Sequence, residues 1–274
     1  MSKNQTVELE SLSQKLRLEI LKMIFEAQSG HPGGSYSAID LMTALYFRVM
    51  RHDPKNPEWP DRDRFILSKG HAAPALYAVL AYSDYFPKKN LNTLRKMGSP
   101  LQGHPEKNKL PGVEASTGSL GQGISIGIGM ALAGKLDRKD YRVYVLVGDG
   151  EINEGQVWEA ALFAGARKLD NLAVIVDNNG YQLDGSVDEI LPLSPLRDKW
   201  KSFGWNVIEI NGHRMDETLK AFEEAKACKG MPSVILAKTV KGKGVSFMEN
   251  NNDFHGMAPT KDQYEKALRE LAHA

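Results

Sequence analysis

Tyr141-Arg-Val-Tyr-Val-Leu-Val147 runs directly into Gly148-Asp149-Gly150, and the next apolar run, Leu172-Ala-Val-Ile-Val176, runs into Asp177-Asn178-Asn179-Gly180. Neither run alternates cleanly, as expected for strands buried on both faces of a parallel sheet. Between them Trp158, Leu162, Gly165 and Leu169 recur at helical spacing within Asn153 to Leu169. Strand, helix, strand is a βαβ unit. Each polar motif then falls at the carboxyl end of a parallel strand, where open α/β sheets bind their ligands.

Working outward, Trp205–Ile210 and Ser233–Ala237 read as two more strands of the same kind. Towards the N-terminus, Leu9, Leu12, Leu16, Ile20 and Met23 predict an amphipathic helix that stops at Ser29-Gly-His-Pro-Gly-Gly34. A second helix is expected from Ser37 to Met50, then a surface loop over Asp53 to Asp63 with its three prolines. Ile124, Ile126, Ile128, Met130 and Leu132 make Gly121 to Gly134 too apolar for a loop. It is read as a helix in spite of interior glycines that each cost roughly 0.8–1 kcal/mol against alanine. Lys261 to Ala274 reads as a terminal helix with Tyr264, Leu268 and Leu271 on one face. The expected architecture is a doubly wound, mostly parallel α/β sheet flanked by helices, one domain over residues 1–274 with an N-terminal helical extension.

Bulk composition excludes several classes of function. Lysine plus arginine (35) nearly balance aspartate plus glutamate (34), which argues against nucleic acid or an anionic membrane surface as partner. Cys228 is the single cysteine, so neither an internal disulfide nor a cysteine-rich metal site is available. The polar start, Met1 to Glu10, lacks the apolar core of a signal peptide, and no segment approaches the roughly 18 apolar residues of a membrane span. The expected compartment is the cytoplasm.

The two strand-end motifs suit a diphosphate held through a hard divalent cation. Magnesium takes octahedral oxygen ligands, and Asp149 offers a carboxylate, Asn179 an amide oxygen and Tyr181 a backbone carbonyl. Gly148 and Gly150 allow close backbone approach, and a helix starting near Asn153 would turn N–H groups towards the anion. Other nucleotide motifs fit poorly. No glycine completes a G-x-G-x-x-G after Gly148, and Gly129-x4-Gly134-Lys135 is followed by Leu136 where a Walker A motif needs serine or threonine.

Gly-Asp-Gly paired with Asn-Asn-Gly one βαβ unit later is the thiamine diphosphate fingerprint, and the resemblance extends along the chain. Ser29-Gly-His31-Pro-Gly33, Asp61-Arg-Asp63-Arg-Phe65 with Ser68-Lys-Gly-His71, Gly103-His-Pro-Glu106, Gly118-Ser-Leu-Gly-Gln-Gly123 and Glu154-Gly155-x3-Glu159 are similar, in this order, to transketolases. The resemblance implies a thiamine-diphosphate-binding PP-type domain and transfer of a two-carbon ketol unit from a ketose phosphate to an aldose phosphate. It implies thiamine diphosphate with magnesium, calcium or manganese substituting. It assigns His104 to the substrate's C1 hydroxyl, His31 and His255 to the reacting hydroxyl and carbonyl, and His71 to the diphosphate and sugar. Imidazoles suit such work because they donate, accept or shuttle protons near neutral pH. Gly118, Ser119 and Leu120 are placed by resemblance on the thiazolium side, with Glu154, Leu183 and His255 also around the cofactor. Ser119 departs from the family's usual proline.

In transketolases the catalytic glutamate belongs to a pyrimidine-binding domain, and that domain and a C-terminal domain have no counterpart in these residues. The expectation is a split enzyme whose other half is a C-terminal transketolase subunit, in an α2β2 assembly. Glu154 and Glu159 are placed by resemblance at its subunit interface. Lys241-Gly-Lys243-Gly departs from the commoner pattern and is expected to be a solvated loop, the alternative being that these lysines reach substrate or partner. His52, His213 and His273 are left as structural or exposed. The alternatives are the α-subunit of a 2-oxoacid dehydrogenase, a deoxyxylulose-phosphate-synthase-like enzyme, and a cofactor-binding regulatory module without activity of its own. The first lacks the Gly-His-Pro-Gly and Gly-His-Pro-Glu loops.

Overall fold

Successive residues of a strand point to opposite faces of a sheet, and here both faces carry apolar side chains, so both must be covered. The computed structural model describes residues 3–272, which leaves His273 and the last residues of the expected terminal helix outside the described residues. Five strands form the sheet: β1 (Arg64–Leu67), β2 (Val143–Gly148), β3 (Leu172–Asn178), β4 (Asn206–Asn211) and β5 (Ser233–Lys238). Their order is β1-β2-β3-β5-β4, and every neighbouring pair is parallel. The described sheet is therefore wholly rather than mostly parallel.

The described residues form nine α-helices: α1 (Lys3–Ala27), α2 (Pro32–Ala44), α3 (Ala73–Tyr82), α4 (Gln122–Leu136), α5 (Gly155–Ala166), α6 (Val187–Ile190), α7 (Leu196–Ser202), α8 (Met215–Ala227) and α9 (Lys261–Ala272). Tyr144, Leu146, Ala173, Ile175 and Ile235 meet α1, α2, α3 and α8 in one core. Val143, Val145, Val147, Val174 and Val234 meet α4, α5 and α7 in the other. The N-terminal helix is no appendage: Leu16, Ile20 and Met23 are buried in the first core, and Phe25 stacks on Tyr264 of α9 with ring centroids 4.0 Å apart. No described helix is long and apolar enough to cross a membrane.

Several boundaries and one phase differ from expectation. The second helix starts at Pro32, not Ser37, because proline at the first helical position has no N–H to leave unpaired. It ends at Ala44, and a π-helical turn, Leu45–Val49, completes the span. In α5 the buried stripe is Val157, Ala160, Ala161 and Ala164, and Leu162 is 56% exposed. The helical spacing holds, but the buried face is a different one. β1 and α3 have no counterpart among the expected elements. β1 has four residues, and α3 is buried on every side, so it carries no amphipathic period to detect.

The glycines of α4 have a packing reason at two positions. A Cβ on Gly123 would lie 2.4 Å from Ser68 Oγ, and one on Gly127 would lie 2.6 Å from Val145 Cγ2. α4 therefore rides directly on β1 and β2. Gly129 faces open space. This predicts opposite effects from the same substitution. Gly127→Ala should destabilise by about 1–3 kcal/mol through overpacking, and Gly129→Ala should stabilise by up to about 1 kcal/mol through helix propensity. Denaturant midpoints at constant m-value measure both.

Candidate functional site

Because the strands are parallel, the residues after β1, β2, β3 and β5 all emerge at one edge of the sheet. Ser68 and Lys69 follow β1, Asp149 and Gly150 follow β2, Asn179 ends the β3 motif, and Thr239 to Lys241 follow β5. A cavity of about 340 Å³ opens there, lined by His71, Leu120, Asp149, Asn179, Lys241 and His255 among others. Gly148, Gly150, Glu154, Tyr181 and Leu183 also reach it. Gly118, Ser119, His31 and His104 do not line it.

The floor is held by a fully buried carboxylate. Asp177 accepts hydrogen bonds from Ser37 Oγ of α2, Lys69 Nζ, Thr239 Oγ1 and Asn179 Nδ2. Burial opposes its charge, but the Lys69 ammonium and these hydrogen bonds hold its carboxyl below the usual range. Asp149 lies above it. Its Oδ1 accepts from Gly150 N at 2.8 Å and its Oδ2 from Gly180 N, so the two strand-end motifs are tied to each other through this side chain. Burial and the neighbouring Asp177 charge push Asp149 up to about 7, and a bound cation would offset both. Asn179 Oδ1 accepts from Tyr181 N at 3.1 Å, which orients the amide oxygen within the same turn.

The residues fit a diphosphate and its cation on their chemistry. Lys69 and Lys241 are each 1% exposed and both border the cavity. Lys69 is paired with Asp177, but Lys241 meets only neutral groups, and a buried ammonium of that kind calls for an anionic partner. Lys241 Nζ donates to Gln182 O, Asn252 Oδ1 and His255 Nδ1 at 2.8–3.1 Å. Burial and then the Lys69 charge lower its pKa to about 8. The expectation of a solvated loop is thus corrected for Lys241, while Lys243 remains a half-buried surface partner of Glu249 at 3.2 Å. Among the described residues no three His, Cys, Asp or Glu side chains cluster as a metal site. A cation at Asp149 would draw on amide and backbone oxygens, which suits magnesium rather than a softer metal.

One expected donor is not where the sequence suggested. Gly150–Asn153 is a 3-10 turn, and α5 begins only at Gly155. Its N-terminal N–H groups are therefore set back from the Gly-Asp-Gly loop. That turn instead carries Glu151, which sequence reasoning missed. Buried and raised in pKa by that burial, Glu151 accepts from Ser68 Oγ, Gly121 N and Gly148 N. Ser68 Oγ in turn accepts from Gly123 N. The pair caps the start of α4 and fixes the Gly118-Ser-Leu-Gly loop against β2.

Three of the four histidines come together. The His31, His71 and His255 rings lie with centroids 5.1–5.5 Å apart. Burial lowers all three, helped by nearby cations: His31 to about 4, His255 to about 3, and His71 well below its usual value. The three rings are neutral at neutral pH and act as hydrogen-bonding groups rather than as charges. His104 is exposed and stands apart, its ring against Gly118, where a Cβ would come within 3.1 Å. Ser119 is exposed beside it.

Residues 9–273 match the family of the transketolase thiamine diphosphate binding domain. The chain is 48% identical to the 6-deoxy-6-sulfo-D-fructose transketolase subunit SqwG of a Clostridium species, over 97% of each chain. It is 42% identical to one of the subunits of the apulose-4-phosphate transketolase of Phocaeicola vulgatus, over 98% of this chain and 95% of that one. The crystal structure of Campylobacter jejuni transketolase superposes with a TM-score of 0.92 at 35% identity, over 96% of this chain but only 42% of that one. The chain thus spans nearly the full length of the two subunits and about two fifths of the solved transketolase. Together with the strand-end cavity and its neutral histidines, these matches establish that the chain belongs to the transketolase family, as its thiamine diphosphate-binding domain.

Proposed function

We propose that this chain is one half of a split, thiamine-diphosphate-dependent transketolase that moves a two-carbon ketol unit from a ketose to an aldose. The observation that carries the reading is the histidine cluster beside a cavity bordered by two buried lysines. One part of the site is built for a diphosphate, and the adjoining part offers neutral proton donors and acceptors to a polyhydroxylated chain. When bound, thiamine diphosphate supplies the electron sink for cleaving the bond next to the ketose carbonyl.

The chain's own residues bind, orient and handle protons. Asp149, Asn179 and the Tyr181 carbonyl would hold magnesium, which would supply positive charge to the diphosphate. Lys241 and His71, with Lys69 beside them in its pair with Asp177, would hold the diphosphate. Leu120 and Leu183 cover apolar ring surface, and Gly118, Ser119 and Glu154 complete the rim on that side. His31 and His255 hydrogen-bond the reacting carbonyl and hydroxyl of the sugar, and His104 its C1 hydroxyl. The naming of these relatives as subunits, and the share of a full-length transketolase that the chain spans, support a second polypeptide bearing the pyrimidine-binding and C-terminal domains. We take the assembly to be α2β2 and cytoplasmic. Those relatives act on ketoses ending in a sulfonate or a phosphate, which makes a ketose with an anionic terminus the favoured donor.

Native mass spectrometry of the complex from its own source tests the split enzyme directly. A heteromer retaining thiamine diphosphate and magnesium, and transferring ketol units from 6-deoxy-6-sulfo-D-fructose or a ketose phosphate, is the expected result. A homo-oligomer that binds no cofactor would refute it. Asp149→Ala should weaken magnesium-dependent cofactor binding by more than about 100-fold, beyond the roughly 10–100-fold typical of outer-shell changes. Unchanged affinity by calorimetry would remove Asp149 from the metal site. Lys241→Ala should weaken cofactor binding by about 10–150-fold, the equivalent of a charge-assisted hydrogen bond of roughly 1.5–3 kcal/mol. Lys243→Ala should leave it within twofold of wild type (about 0.4 kcal/mol or less).

A further inference from the structure

Arg95 joins the two histidine-bearing loops, although no motif contains it. Its Nη1 donates to Ser29 Oγ at 3.0 Å and its Nη2 to His31 Nδ1 at 3.3 Å. Its own backbone N–H bonds Leu101 O at 2.8 Å, with a left-handed φ of 56°. A Cβ on Gly103 would lie 2.9 Å from Arg95 Cζ. The glycine of Gly-His-Pro-Glu is thereby explained: it lets the guanidinium lie flat against that loop on its way to the Ser-Gly-His-Pro-Gly loop.

A guanidinium has donors only and does not deprotonate in proteins. The nitrogen it faces must therefore accept, and a neutral imidazole accepting at Nδ1 carries its proton at Nε2. The Nε2 edge of His31 points the other way, towards Gly256, where a Cβ would stand 3.6 Å from it. His71 and His255 flank the same ring. On the backbone side, the His31 carbonyl accepts from Ser35 Oγ at 2.7 Å at the start of α2, which fixes the residue's position.

We propose that Arg95 is a positioning residue for ketol transfer, holding His31 in the Nε2–H tautomer so that it meets the reacting sugar as a hydrogen-bond donor. The inference rests on the transketolase reading for its consequence in catalysis, and on geometry alone for the tautomer. The electrostatic setting agrees. The groups acting on the ring are Arg95 and His104 from the neighbouring loops, Lys241 after β5 and Lys69 after β1, with the His71 and His255 rings in contact, and none of these is an anion. Burial, then Arg95, keeps the imidazolium from forming above about pH 4. His31 therefore enters the reaction as a neutral donor whose Nδ1 is already occupied.

The test is the long-range 1H–15N spectrum of the full chain labelled at histidine, with His31 assigned by its loss in His31→Gln. In wild type, His31 should show a single neutral Nε2–H pattern from about pH 5.5 to 8, on the alkaline side of its lowered pKa. In Arg95→Met it should become a mixture of tautomers and titrate towards the ordinary value of about 6.5. Arg95→Lys, which keeps a cationic donor, should retain the Nε2–H form at least in part. An Nδ1–H pattern in wild type, or a pattern unchanged in Arg95→Met, would overturn the proposal. If Arg95→Met loses its dispersed spectrum, the wild-type tautomer and Arg95→Lys decide. In the complex with its partner, Arg95→Met should lower kcat at least about tenfold, with an acid limb moved to higher pH and cofactor affinity kept. A positioned proton-transferring side chain contributes roughly 10²–10⁴-fold. Unchanged kcat would refute the catalytic part. The expected tautomer in a complex that transfers no ketol unit would uphold the Arg95–His31 pairing and refute the enzymatic reading instead.

Discussion

Asp177 is the fixed point from which the site is built. Its carboxylate is fully buried and binds Lys69 after β1, Ser37 of α2, Thr239 after β5 and Asn179 in its own turn. Each of those elements also carries or adjoins a residue of the cavity. Removing one member of a buried ion pair leaves an uncompensated charge and typically costs about 3–5 kcal/mol. The network is thus intolerant of partial assembly, and the strand ends are held in register with one another before any ligand arrives.

Two further carboxylates share this edge of the sheet, and their surroundings give them different work. Glu151 accepts from Ser68, Gly121 and Gly148, so it braces the loops around it. Asp149 is tied by only two backbone N–H groups and is raised by burial and by Asp177, effects that a bound cation would offset. The sequence spaces the three acids along two adjacent loops with little to tell them apart. Their hydrogen-bond partners separate a clamp, a brace and a candidate metal ligand.

The histidines follow the same logic with the opposite sign. They are surrounded by Lys69, Lys241 and Arg95, and this cationic, partly dry setting keeps the rings neutral. Neutral imidazoles beside the two lysines can each donate one hydrogen bond and accept another.

The parallel α/β layers, the edge of the sheet that carries the candidate site, and the family were all legible in the residues alone. Those depend on local signals: uninterrupted apolar strands, glycine-bearing turns at their ends, and motifs a few residues long. The sequence also marked Asp149, Asn179, His71 and His255, because each lies in such a turn or loop. Tertiary contacts were needed to show which face of α5 is buried, that α1 is part of the core, that Lys241 points inward, that Glu151 lines the cavity and that Arg95 meets His31. A four-residue strand and a helix buried all round give no period to read. A lysine beside a glycine carries no sign of whether its loop folds over a cavity. Arg95 and His31 stand 64 positions apart in the chain, and no local pattern records a contact that exists only once the chain has closed on itself.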